Sequence, residues 1–124
     1  MDETPQEQID AEEWRPAPGF EDHYSVSSLG RIRDEPVRRR YRLGTLDARD
    51  GYRRATLSVG GLSRMVSIHV LVAEAFIGPR GPLLVIDHID GDPSNAALAN
   101  LQYVTRSQSN LNAAARRRAK KITA

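Results

Sequence analysis

The sequence predicts a small α+β fold, with a β-hairpin-rich N-terminal part, one short buried helix, and a strand–loop–strand–helix unit at the C-terminal end. Three observations carry this. Polar and apolar residues alternate over short runs separated by glycine turns in the first half, a period of two that suits half-buried strands. The run His69–Ile77 is apolar at helical spacing, Val72 with Phe76 and Leu71 with Ala75. A chain of 124 residues with 40% hydrophobic content supplies one core rather than two.

Residues 1–13 are almost devoid of apolar side chains and dense in acids, too little to offset the entropy of ordering, so they are expected to be a disordered acidic leader. Order begins at Trp14, where Pro16 and Pro18 forbid helix and favour extended chain, and Trp14, Phe20 and Tyr24 are expected in the core. Tyr24–Ser27 and Gly30–Arg33 read as small strands around a turn. The basic run from Pro36 to Arg42 is a strand edge or a loop. After the Asp50-Gly51 turn, Tyr52–Val59 alternates with Ala55, Leu57 and Val59 on the apolar face, and Gly60-Gly61 turns it into a hairpin with Leu62–Ile68.

Ser67 is a plausible N-cap for the following helix, which Gly78-Pro79 stops. Leu83–Asp87 reads as an apolar strand, Gly91–Asn100 as a polar loop, and Leu101–Val104 as the return strand. Thr105 with Gln108 three residues on forms a capping box that opens a helix through the alanines 113–115. The expected organisation is a leader (1–13), a hairpin part (14–60), a strand–loop–strand–helix unit (61–115) and a basic tail (116–124).

The formal charge of +2 hides a polar split. Residues 1–35 carry ten acids against three arginines, residues 36–86 nine arginines against three acids, and residues 87–124 six basic residues against three acids. Sixteen of the eighteen basic residues are arginine, whose planar fork suits phosphate and guanine, which points to nucleic acid. The absence of cysteine excludes disulfides and thiolate metal sites. No stretch reaches the roughly 18–20 apolar residues of a membrane span, and the acidic start is unlike a signal peptide, so a soluble, cytoplasmic chain with no membrane partner is expected.

The chemistry concentrates in Val85-Ile86-Asp87-His88-Ile89-Asp90-Gly91-Asp92. Asp87 and His88 leave opposite faces of a continuing strand, but at a fraying strand end both turn into one pocket. A neutral imidazole takes a proton from water while a neighbouring carboxylate holds a divalent cation, the minimum apparatus for hydrolysing a phosphodiester. The C-terminal helix can bring Asn110 or Asn112 to the same cation, and such oxygen ligands suit magnesium, manganese or calcium. A calcium loop of EF-hand type is excluded, because the acids, the glycine and a final glutamate are not at the required spacing.

His69-x-Leu71-Val72-Ala73-Glu74-Ala75-Phe76, Asp87-His88-Ile89-Asp90-Gly91-Asp92, Ser94-Asn95 and Asn100-Leu101-Gln102-Tyr103-Val104-Thr105 together resemble the HNH endonucleases of phage genomes and self-splicing introns. Upstream, Trp14-x-Pro16-x-Pro18-Gly19-Phe20-Glu21 and Tyr24-Ser25-Val26-Ser27-Ser28-Leu29-Gly30-Arg31-Ile32-Arg33 resemble the nuclease-associated DNA-binding motif that often precedes that domain. The resemblance spans residues 14 to about 112 and implies a ββα-metal (His-Me finger) unit in a metal-dependent DNA endonuclease. It further implies His88 as general base, Asp87 as first metal ligand, and Asn100 as the asparagine that fixes the loop aiming the histidine. His69 matches a family histidine, and its position at the start of a buried helix favours a structural role. The family's helix ligand falls at Ser109, with Asn110 next to it, and Asn110 is taken as the second ligand, for Mg2+ or Mn2+. Loss of that ligand would leave a DNA-binding module that no longer cuts.

The expected partner is double-stranded DNA, bound by a monomer or homodimer in a bacterial or phage-infected cell. Arg31, Arg33, Arg38, Arg39, Arg40, Arg42, Arg53, Arg54 and the tail residues Arg116, Arg117 and Arg118 are the candidates for phosphate contact. The longer homing enzymes carry a further helical DNA-reading module, and a chain ending at Ala124 without one is expected to have limited long-site specificity.

Overall fold

The structure, a computed structural model, describes residues 11–35 and 41–123, the last four of these by backbone alone. Most of the expected leader and the arginines Arg38, Arg39 and Arg40 lie outside the described residues. The leader's last two residues do not match the expectation of disorder. Glu13 exchanges hydrogen bonds with Ser28 through both its backbone groups, and the Glu12 carboxylate grips the Arg31 guanidinium.

Four antiparallel strands, β1 (Trp14–Pro16), β2 (Tyr24–Ser27), β3 (Ile32–Asp34) and β4 (Tyr41–Arg42), form the first sheet in that order. A second sheet joins β5 (Thr45–Leu46), β6 (Arg53–Val59) and β7 (Leu62–Ser67), with the two-residue Gly60-Gly61 turn setting the register Val59↔Leu62. The short helix α1 (Ile68–Phe76) follows directly. Strands β8 (Leu84–His88) and β9 (Leu101–Thr105) pair as a two-stranded ribbon, and α2 (Arg106–Thr123) closes the unit. The α+β class and the order of elements are those read from the sequence. Of the basic run read as a strand edge or a loop, Tyr41–Arg42 is an edge strand, β4, paired with β3, and the two-residue β5 is additional, too short to show any period and fixed by backbone pairing with β6.

One core serves the described residues. Val26 and Ile32 of the first sheet, Leu57 of β6, and Ile68 and Val72 of α1 are fully enclosed, with Leu71, Leu101 and Ala96 beside them. Each such aliphatic side chain contributes roughly 1.5–3 kcal/mol by leaving water. That burial holds α1, because Ser67 occupies its N-cap without making the side-chain hydrogen bond expected of it. Thr105 does cap α2, accepting from the Gln108 N–H at 3.1 Å. Of the three aromatics expected in the core, Tyr24 is buried and Phe20 packs against it edge-on. Trp14 is instead half-buried, sandwiched between Tyr41 and the Arg33 guanidinium.

The N-terminal part is joined to the C-terminal unit by backbone contact. The Leu98 N–H donates to the Ser28 carbonyl at 2.8 Å. Gly30, at φ +86°, lies so close to the Ala96 peptide that a Cβ would stand 3.1 Å from its carbonyl carbon. Only glycine meets both the positive φ and the close approach.

Candidate active site

The ribbon β8–β9 and helix α2 place the acid. Asp87 lies opposite Gln102 in the ladder and is 4% exposed. Its Oδ2 accepts hydrogen bonds from Gln102 Nε2 at 3.0 Å and Asn112 Nδ2 at 3.3 Å, while Arg116 Nη2 stands 3.6 Å from Oδ1. Asn112 and Arg116 share one face of α2, four residues apart, as does half-buried Ser109. Asn110, the helix residue expected beside Asp87, is exposed on another face. The reason is the helix start. With Thr105 as cap and Arg106 as the first residue, the inward stripe runs 109, 112, 113, 116, and Asn110 is turned about 200° from Asn112. The residue that meets Asp87 is therefore Asn112.

His88 is placed by the same strand, and the ladder continues through it to Leu101, so β8 does not fray as expected. Asp87 consequently turns to α2 while the imidazole turns to His69 and Tyr52. The His69 and His88 ring centroids are 5.0 Å apart, Tyr52 stacks on His69 at 4.7 Å, and Tyr52 lies 5.5 Å from His88. His88 is 7% exposed, and its Nε2 is enclosed with no hydrogen-bond partner among the described residues. Burial lowers its pKa below that of an ordinary histidine, against the pull of Asp90, Asp87 and Asp92, and Arg116 lowers it further. At neutral pH the ring is the unprotonated form that accepts a proton. His69 is held lower still, at about 4, first by burial and then by His88, Arg54 and Arg80.

Asn100 fixes the loop between the strands. Its Oδ1 accepts from the Asp90 N–H at 2.8 Å, its Nδ2 donates to Asp90 Oδ1 at 2.9 Å and to the Asn95 carbonyl at 3.0 Å, and its own carbonyl accepts from the Ile89 N–H. Asp90 also takes Asn95 Nδ2, and Asp92 takes both the N–H and the hydroxyl of Ser94. These carboxylates satisfy the loop's own donors rather than surrounding a calcium ion.

The oxygen set beside Asp87 fits a small hard cation. It has one buried carboxylate and one side-chain amide on a facing helix residue, without the three or more ionisable ligands of a closed site among the described residues. Magnesium and manganese accept such sparse sets because they retain waters and take up phosphate oxygens. Asn112 Nδ2 donates to Asp87 and its Oδ1 accepts from Gln108 Nε2 at 2.7 Å, so the amide has to turn over, releasing Gln108, to offer its oxygen to a cation.

The arginines divide. Arg31 is paired with Glu12, Arg33 with Glu35, Arg42 with Asp34, and Arg54 with Asp47 and Asp50. Arg53 donates to the Ser94 carbonyl at 2.9 Å and so braces the active loop. Among the tail arginines, Arg116 belongs to the Asp87 site, and Arg117 and Arg118 are exposed on α2. Sequence reasoning missed the places of Tyr52, Gln102 and Arg116. Gln102 is legible once the hairpin register is known, and Arg116 follows from its helical spacing to Asn112.

Comparison with known proteins bears on the two halves of the chain and on the fold. Residues 66–111 match the family model described as HNH endonuclease, and residues 12–58 the model described as NUMOD4 motif. The chain is 35% identical over 94 residues to DNA endonuclease I-HmuI of Bacillus phage SP01, an alignment covering 76% of this chain and 53% of that protein. It also matches a solved structure titled DNA binding and cleavage by the HNH homing endonuclease I-HmuI, with a TM-score of 0.73 and 32% identity over 89% of this chain and 65% of that one. The chain thus spans about half to two-thirds of the length of these relatives. With both models matched in order and the α+β fold shared, this chain carries an HNH endonuclease domain at residues 66–111 behind a NUMOD4 motif at residues 12–58.

Proposed function

We propose that the protein is a metal-dependent endonuclease that hydrolyses phosphodiester bonds in double-stranded DNA, with His88 as general base. The observation that carries this reading is the buried, uncharged His88 imidazole, placed by one strand next to a carboxylate that an amide on the facing helix approaches. Asp87 and Asn112 are the residues that would hold Mg2+ or Mn2+. Such an ion, when bound, neutralises charge building on the phosphate and the leaving oxygen. His88 takes the proton of the attacking water, and its enclosure against His69 and Tyr52 keeps the ring fixed and uncharged. Asn100 ties Asp90 and the chain after His88 to the start of β9, so the base is aimed before substrate arrives. Arg117 and Arg118, exposed beyond Arg116 on α2, are the described tail residues best placed for phosphate.

Ser109 alone suggested a fold that binds DNA without cutting; Asn112 beside Asp87 supplies the amide that Ser109 lacks. The test is plasmid cleavage with Mg2+ or Mn2+ against an EDTA control. His88→Ala should lower the cleavage rate by about 10²–10⁴. Equal cleavage by His88→Ala and the parent removes the general-base role, and DNA binding without any cleavage removes the nuclease. The ratio of nicked to linear product distinguishes single-strand from double-strand cutting, and sedimentation distinguishes monomer from homodimer.

A further inference from the structure

We propose that Arg116 is the resident counter-cation of Asp87, occupying the carboxylate in the DNA-free protein and yielding it when a DNA phosphate draws the guanidinium away. The inference rests on the reading of Asp87 as a metal ligand. Asp87 has a side chain only 3% exposed, and a carboxylate so enclosed is costly without a nearby positive charge. Its Oδ2 is engaged by the Gln102 and Asn112 amides. Its Oδ1 faces Arg116 Nη2 at 3.6 Å, the cation that reaches it among the described residues.

The berth is shaped for this side chain. Gly91 leaves open the space through which the arginine passes, since a Cβ there would stand 2.6 Å from Arg116 Cδ and 2.7 Å from Nε. The Ile89 carbonyl faces Arg116 Nη1 at 3.5 Å, while about a third of the side chain remains open to solvent. A guanidinium cannot shed its charge, so it and a divalent ion repel each other at one carboxylate oxygen. Phosphate is the partner that offers the guanidinium a bidentate alternative from the solvent side. Metal and DNA binding are therefore coupled through Arg116, and by linkage each tightens the other. The consequence is a site that holds its metal weakly until substrate is present.

The experiment is a Mn2+ titration followed by electron paramagnetic resonance, without DNA, on the parent, Arg116→Gln, Arg116→Met and Asp87→Ala. Arg116→Met keeps an apolar stem over Gly91, and a urea melt verifies that each variant is folded. Both Arg116 variants should bind Mn2+ about fivefold or more tightly than the parent, the range of ordinary coupling between sites. In a His88→Ala background, which spares the DNA, a duplex should tighten Mn2+ binding, and by less once Arg116 is also replaced. Equal or weaker Mn2+ binding by the Arg116 variants overturns the proposal while leaving Asp87 a ligand. Binding unaffected by Asp87→Ala, or absent from every protein, overturns the metal reading and this inference with it.

Discussion

His69 makes the stability of this protein sensitive to mild acid. The ring lies in the first turn of α1, stacked on Tyr52 and beside His88, and burial followed by the His88, Arg54 and Arg80 charges holds its pKa at about 4. In the unfolded chain the same ring takes a proton near 6.5. The folded value is the lower one, so the contribution of neutral His69 is fully present above pH 6.5 and is lost as pH falls from there towards 4. For these two values the loss is about 1.4 kcal/mol by pH 5.5 and about 2.5 kcal/mol by pH 4.5. His88, also lowered, adds to the loss over the upper part of the window. Asp90 acts only below it: burial would raise its carboxyl, but bonds from Asn95, the Asp92 N–H and Asn100 outweigh this, so its stabilisation goes as pH falls below 3.8. Urea unfolding at pH 7.5, 5.5 and 4.5 measures the effect in the parent and in His69→Gln. The parent should lose about 1 kcal/mol more than the variant between the first two pH values. Parallel pH dependence of the two proteins refutes the reasoning, whatever the variant's stability at pH 7.5.

Tyr24→Phe should cost about 1–2 kcal/mol in urea unfolding, because the buried hydroxyl both donates to the Ser58 carbonyl and accepts from its N–H. Asn112→Ala should weaken Mn2+ binding and cleavage together, while Asn110→Ala should leave both near the parent level; the reverse order would show that the helix presents a different face to Asp87. Salt titration of DNA binding should separate the arginines. Replacing Arg117 and Arg118 with alanine should reduce the slope of log K against log salt by up to about 0.9 for each phosphate that is no longer neutralised. Arg54→Ala, which takes the guanidinium from Asp50 and leaves Asp47 with Arg49 alone, should register mainly as lower stability.

Period and punctuation made most of the fold legible. The alternation at Ala55, Leu57 and Val59 and the Gly60-Gly61 turn define the β6–β7 hairpin, and the fourfold spacing in α1 marks the face that is buried. The pairings that fix β4 and β5 are backbone contacts between residues distant in sequence, and no side-chain period announces them. At the candidate site, local sequence singled out Asp87, His88 and Asn100, whose neighbours lie close along the chain. Asn112 rather than the expected Asn110 meets Asp87, because the choice between them depends on the rotation of α2 about its axis. That rotation is set by packing against β8 and β9, which residue types alone do not encode. The arginine clusters look like a phosphate-binding surface in sequence because the acids that neutralise Arg31, Arg42 and Arg54 come from turns and strands as many as 19 residues away.

Gly30 pressed against the Ala96 peptide, with Ser28 bonded to Leu98, has a consequence for recombining such proteins. The N-terminal motif is not a bead on a tether that can be exchanged without regard to the unit behind it. Its turn is a mould of the loop beneath it, and a graft from another protein must bring a glycine of the same handedness to the same spot. A chimera lacking that match would push on Ala96, and through the short segment to Asn100 it would reach the loop that follows His88. Motif exchange would then succeed or fail on steric fit at this seam.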